Sequence, residues 1–236
     1  MAVRASSIVS QEGAMALLKF SGNNSKMKKL SKATGKKVYA FDLPAGWSCP
    51  AAQTCLSKAD KVTGKITDGK DATFRCYAAS LEAVFPACRK LRWHNFDLLQ
   101  NTSNMYQLLE DSLPSKTEII RIHSSGDFFN AKYLEAWITV AGAHPLTIIY
   151  GYTKRIDLLE RLTHPLPGNM RLVTSVGGKY DDINVKLPSA TVVDHTLHPF
   201  PVFSTDADSE LHILNGGGDF GLMIHGVQPK GWNGFQ

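Results

Sequence analysis

The chain has four cysteines, all between positions 49 and 88, in the pattern C-x5-C-x20-C-x11-C. Four cysteines scattered at random over 236 residues would rarely crowd so tightly. The first two lie in LPAGWSCPAAQTC, from Leu43 to Cys55, where Pro44, Gly46 and Pro50 break any regular helix. A disulfide, a metal site and coincidence are the alternatives. In a reducing compartment a cysteine cluster points to metal or catalysis rather than to disulfides, so Cys49, Cys55, Cys76 and Cys88 are candidate metal ligands. Thiolates suit zinc and iron–sulfur clusters alike. The spacing is not the paired CxxC of a zinc ribbon or the CxxCxxC of bacterial ferredoxins. It also lacks the CxxxCxxC of radical S-adenosylmethionine enzymes. The small residues of GWSCPAAQTC leave room for something bulkier than one ion, which favours an iron–sulfur cluster, [4Fe-4S] first, over zinc. Cys88 has two readings. On a continuous helix it shares an apolar face with Leu81, Val84, Phe85 and Leu91 and is a small core residue. If Pro86 opens a new helix, Cys88 lies in its first turn, where the dipole favours a thiolate. Without Cys88, three thiolates leave one iron open to solvent, substrate or a side chain.

A second set of polar residues falls where strands end. In RIHSSGDFF (121–129), Arg121, His123 and Ser125 alternate onto one strand face, and Gly126 and Asp127 follow. The next strand ends in Tyr152, Thr153 and Lys154, and later ones at Ser175 and at Asp194 with His195. In a parallel barrel those ends carry the active site. The expected catalytic residues are His123, Asp127 and Lys154, with His123 or Asp127 moving protons. Arg121, Ser125 and Tyr152 are expected to contact a cofactor or small ligand, and Arg121 with Lys154 would attract an anionic one. Plainer roles are also open: Asp127 or Asn130 as a helix cap, and His123 as a hydrogen-bonded core histidine. Trp93 and Trp137 read as core.

The elements that must position these residues alternate along the chain. Strands are expected at VYAFDL (38–43), EIIRIHSS (118–125), LTIIYGYT (146–153), RLVTSVG (171–177) and ATVVDH (190–195). TFRCYA (73–78) reads as a short strand or turn, and DKVTGKITDGKD as an exposed hairpin or loop. Helices are expected at ASLEAVF, PACRKLRWHNFDLLQ, TSNMYQLLEDSL, RIDLLERLTH and NAKYLEAWITVAGA; in the last, Tyr133, Leu134, Trp137, Ile138 and Ala141 recur at helical spacing. From Leu197 the chain is rich in Pro and Gly, with LHIL and GLMIHG as candidate short strands. This alternation predicts an α/β fold with mainly parallel strands. The expected form is a partial (β/α) barrel with a cysteine-rich metal loop after its first strand; an open doubly wound sheet is the alternative.

Residues 1–37 hold eight cationic side chains against Glu12, while the whole chain carries +5. The basicity is thus concentrated in an N-terminal arm, followed by a single α/β domain over 38–236 with a Pro/Gly-rich tail. Such an arm is either a solvated segment or a contact for nucleic acid. A zinc-stabilised nucleic-acid-binding protein is therefore the alternative to an iron–sulfur protein. No apolar run reaches 18 residues, so no membrane span is expected. The N-terminus lacks the features of a signal peptide, which points to the cytoplasm. No GxGxxG follows the first strand and no GxxxxGK[ST] occurs, which argues against nucleotide binding by either loop.

LLKFSGNNSKMKKL, FDLPAGWSCPAAQTC, RCYAASLEA, RWHNFDLL, RIHSSGDFFNAKYLEAW and IIYGYTK together resemble the phage gene product 88 family, over about Leu17 to Lys154. The resemblance implies a protein made in a bacterial host's cytoplasm, and it implies no defined reaction. It centres on Cys49, Cys55 and Cys76, with Cys88 less clearly included. Members are often cysteine-rich near the C-terminus as well, but LHILNGGGDFGLMIHG has no cysteine. A cluster held just after the first strand of a half-barrel also resembles the radical S-adenosylmethionine core, by analogy only.

Overall fold

The computed structural model describes residues 16–235, apart from positions 23, 196, 205 and 206. In chain order the elements are α1 (Ser25–Thr34), β1 (Val38–Phe41), β2 (Ser57–Ala59), β3 (Ile66–Asp68), α2 (Tyr77–Val84), α3 (Pro86–Asn101), α4 (Met105–Ser112) and β4 (Ile119–Ile122). They continue as α5 (Ala131–Ala143), β5 (Ile148–Thr153), α6 (Ile156–Glu160), β6 (Met170–Ser175), β7 (Ser189–Val193), β8 (Val202–Phe203), α7 (Asp208–Leu214) and β9 (Phe220–Met223).

The main sheet runs β1-β4-β5-β6-β7-β9-β8, and every neighbouring pair is parallel. From β1 to β7 each new strand adds to the same edge. A doubly wound sheet needs a reversal of strand order, and this one has none between those strands. The sheet curls into a half-barrel. Among the described residues the antiparallel pair of named strands is the hairpin β2–β3, which forms where the polar 60–71 stretch predicts it.

β1, β4, β5 and β6 are largely buried on both faces, which is why they read as continuous apolar runs. On the outer face Phe96, Leu99, Leu108, Leu109, Leu134 and Trp137 of α3, α4 and α5 pack on Phe41, Ile120, Ile122, Ile149 and Leu172. On the inner face Met27 and Leu30 of α1 and Ile213 of α7 pack on Val38, Ala40, Tyr150, Val173 and Phe220. Helix ends follow the expected chemistry. Asn130 Oδ1 accepts from Tyr133 N at 2.9 Å and caps α5, and Pro86 opens α3.

Three segments differ from the sequence expectation. Residues 16–37 are packed onto the domain, while 1–15 lie outside the described residues. Ser21 bridges Ala40, Leu18 joins the outer core, and Met27 and Leu30 are fully buried. Burying two such side chains contributes roughly 1.5–3 kcal/mol each, which docks a helix too short to persist alone. LHIL is the end of α7, not a strand; Asp208 and Glu210 in the first turn suit a helix N-terminus. TFRCYA is a loop that enters α2 at Tyr77. The C-terminal tail folds back over that loop. Gln228 pairs with both backbone groups of Arg75, at 2.8 and 3.2 Å, and the Trp232 indole donates to Thr73 O at 2.9 Å.

Candidate functional site

Because the sheet is parallel, the C-terminal ends of β1, β4, β5, β6, β7 and β9 face one rim. A cavity of about 170 Å³ opens there. Cys49 and Cys55 reach it from the loop after β1, and Cys76 from the residue before α2. Arg121, His123, Ser125 and Asp127 line it from β4 and its following turn, and Tyr152 and Lys154 from β5. Nine of the ten candidate residues thus meet at one place.

Two glycines let the cysteine loop lie this close. Gly46 has φ +70, and a Cβ there would sit 2.4 Å from Ser57 O. Gly126 has φ +93, and its Cβ would fall 2.7 Å from Leu43 Cβ and Ser48 Oγ. The loop is also tied across the rim, with Gln53 N and Thr54 N donating to Gly177 O beyond β6.

Cys49, Cys55 and Cys76 are half-buried and not joined in disulfides. Burial pushes the Cys49 thiol well above its ordinary value, and the negative charges of Asp127, Cys76 and Cys55 push it further. Burial and Cys55 push Cys76 up to about 11. Burial also raises Cys55, against the pull of Lys154. These are therefore neutral thiols, poor as nucleophiles, which a bound metal would deprotonate. Among the described residues no three His, Cys, Asp or Glu side chains close round a single-ion position.

The structure does not bring Cys88 to the other three. It lies in the first turn of α3 and lines a neighbouring cavity of about 430 Å³. Burial raises its thiol, with Arg92 opposing.

The strand-end residues are held by specific partners. Asp127 is buried and accepts from Thr153 Oγ1 at 2.6 Å, Phe128 N at 2.7 Å and Lys154 N at 2.8 Å, locking the end of β4 to that of β5. Burial raises its carboxyl despite these donors. Lys154 Nζ donates to Ser175 O at 3.0 Å and Ser175 Oγ at 3.1 Å, tying β5 to β6. His123 has φ 65, so strand alternation stops there and the ring meets Tyr133 OH at 3.1 Å and the Phe128 ring. Burial drops its imidazole to about 3, which keeps it neutral. Ser125 N donates to Asp42 Oδ1 at 3.2 Å. The Arg121 guanidinium lies 5.4 Å from the Tyr152 ring centre.

Sequence reasoning missed the carboxylates behind these groups. Glu210, fully buried on α7, accepts from Arg121 Nη1 at 2.6 Å and Lys26 Nζ at 2.7 Å. Burial pushes Glu210 up, but Arg121 and Lys26 outweigh it and hold the carboxyl below its ordinary value. Glu82 on α2 accepts from Arg92 Nη1 at 2.9 Å and Ala45 N at 2.8 Å. Local pattern gives no signal for Glu210, whose partner is 89 residues away. Tyr77 and His225, in ring contact at 4.3 Å, also line the cavity; Tyr77 stood within the RCYAASLEA segment.

A family model described as Gene product 88 matches residues 15–227. The chain is 28% identical over 128 residues to the Gene 88 protein of Mycobacterium phage L5, covering 49% of this chain and 47% of that protein. The Gene 88 protein of Mycobacterium phage D29 matches with the same identity and coverage. The match thus spans about half the length of these curated relatives. No solved structure matches the chain. Among the described residues no helix is long and apolar enough to cross a membrane.

Proposed function

The chain belongs to the Gene product 88 family, and from that premise we propose that it is a phage-encoded iron–sulfur protein of the host cytoplasm. The cluster, [4Fe-4S], is held by Cys49, Cys55 and Cys76 at the rim of the half-barrel. The observation that carries this reading is the convergence of those thiols, from two separate segments, on one strand-end cavity. The donor set fits: three soft sulfur ligands, with backbone N–H groups from a Pro/Gly loop nearby. Three thiolates suit a cluster with one iron left to another ligand, whereas a closed structural zinc site calls for four protein ligands. A cluster in the loop after the first strand of a parallel half-barrel would be analogous to a radical S-adenosylmethionine core, although the CxxxCxxC motif is absent.

When bound, the cluster supplies one-electron or Lewis-acid chemistry at an iron without a protein ligand. The chain's own residues do the rest. Asp127 and Lys154 fix the strand ends, His123 presents a neutral imidazole beside the cavity, and the tail folds over Arg75 and Thr73. The test is iron uptake on oxygen-free reconstitution. Cys49→Ser, Cys55→Ser and Cys76→Ser each lose the cluster, and Cys88→Ser keeps it. Retention by all four single variants would refute the assignment.

A further inference from the structure

The cavity that Cys88 lines is larger than the cysteine cavity and shares a wall with it. Tyr77, Arg121, Ser124 and His225 line both. Its lining holds Lys26, Arg92 and Arg121 and one carboxylate, Asp42, whose Oδ2 lies 3.6 Å from Arg92 Nη2. Both guanidinium groups are held by buried carboxylates, and Lys26 shares the one that holds Arg121. Arg121 is fixed by Glu210 at 2.6 Å, and Arg92 by Glu82 at 2.9 Å and Ala78 O at 3.0 Å. They are only 5% and 3% exposed, yet the Nε of each is buried without a hydrogen-bond partner, as are Ser124 Oγ and the second carboxylate oxygens of Glu82 and Glu210. Orphaned buried donors of this kind are costly and are rare unless something completes them. The N-cap Asn24 and the first two residues of α1, Ser25 and Lys26, line the same cavity, and that helix has no acidic side chain in its first turn. A helix start with arginines nearby suits an anion.

We propose that this second cavity is a subsite for the anionic group, carboxylate or phosphate, of a small molecule whose remainder extends past Tyr77 toward the cysteine cavity. That this molecule is a substrate of the cluster site rests on the function proposed above; that an anion binds here does not. Arg121 then has a double position, on the wall of both compartments, and Lys26 reads the charge from α1.

Cys88 is a built-in reporter. The full chain, iron-free and with thiols reduced, is treated with iodoacetamide, and alkylation of each cysteine is followed by peptide mass spectrometry. Inorganic phosphate and acetate are compared with chloride at matched ionic strength. Phosphate or acetate slows Cys88 about threefold at twice its dissociation constant, while Cys49 and Cys55 keep their rates. Protection by phosphate alone identifies a phosphorylated ligand, and by acetate alone a carboxylate. Lys26→Gln, a partly exposed position, weakens the protection, read as the ratio of the rate in phosphate to the rate in chloride within the same variant. Equal Cys88 rates in phosphate, acetate and chloride, equal slowing at all cysteines, or full protection in Lys26→Gln would each overturn the proposal. Because no iron is present, a negative result leaves the cluster reading standing, and loss of the cluster reading leaves this result interpretable.

Discussion

Replacing Asp127 separates positioning from proton transfer at the rim. Its carboxylate satisfies three buried donors: Thr153 Oγ1, Phe128 N and Lys154 N. Each buried donor left without a partner costs about 1–3 kcal/mol. Asp127→Ala orphans all three, for a nominal cost of roughly 3–9 kcal/mol. Two effects reduce this. The cavity beside it admits water, and burial has already raised the carboxyl, so removing the charge recovers part of its desolvation. A loss of about 3–5 kcal/mol is expected, a large share of a typical domain's ~5–15 kcal/mol. Asp127→Asn keeps one oxygen for Thr153 and Phe128 but turns an amide N–H toward Lys154 N, so one donor is lost at about 1–3 kcal/mol. The gap between the variants is the diagnostic quantity. Since the folded carboxyl is raised from 3.8, its contribution is fullest below that value and declines as pH rises through the folded pKa. An amide does not titrate, so the penalty of Asp127→Asn should shrink with rising pH. Urea unfolding followed by circular dichroism at several pH values measures both. An Asp127→Ala protein within about 1 kcal/mol of the parent would show that the lock between β4 and β5 is not structural.

Further outcomes follow from neighbouring groups. Glu210→Gln leaves the buried Arg121 charge without its anion, and should cost about 3–5 kcal/mol in the same urea assay; Lys26→Gln, at the partly exposed end of that pair, should cost far less. His123 is held neutral, with its imidazole dropped from 6.5 to about 3. The unfolded chain therefore binds the extra proton between those values, and stability is present above 6.5 and lost as pH falls. His123→Gln should flatten that part of the stability curve by up to about 1.4 kcal/mol per pH unit. Leu30→Ala on α1 should cost about 2–5 kcal/mol, because Leu30 is fully buried; an unchanged midpoint would return residues 25–34 to the status of a loose arm.

Much of the frame was legible because the strands are apolar runs of β-branched residues between helices with clear ends. EIIRIHSS, LTIIYGYT and RLVTSVG became β4, β5 and β6, and Pro86 and Asn130 marked helix starts. The parallel sheet then brought Cys49, Cys55 and Cys76 to residues 121–127 and 152–154, as strand-end logic predicts. What failed was whatever depends on long-range burial. The lysine-rich stretch before β1 hides its two core anchors, Met27 and Leu30, among charges. Cys88 satisfied the first-turn reading of Pro86, but α3 points it at a different cavity, a matter of helix direction that spacing does not encode. Glu210 and Glu82 fix Arg121 and Arg92 from elements far away in sequence, and neither has a local pattern.

The central claim is tested most directly by the composition of the protein itself, purified without oxygen and analysed for iron, zinc and acid-labile sulfide alongside its visible spectrum. The account predicts a brown protein with about four irons and four sulfides per chain, bleached by oxygen and absent in Cys76→Ser. A colourless protein holding one zinc, or no metal after reconstitution with iron and sulfide, would contradict it.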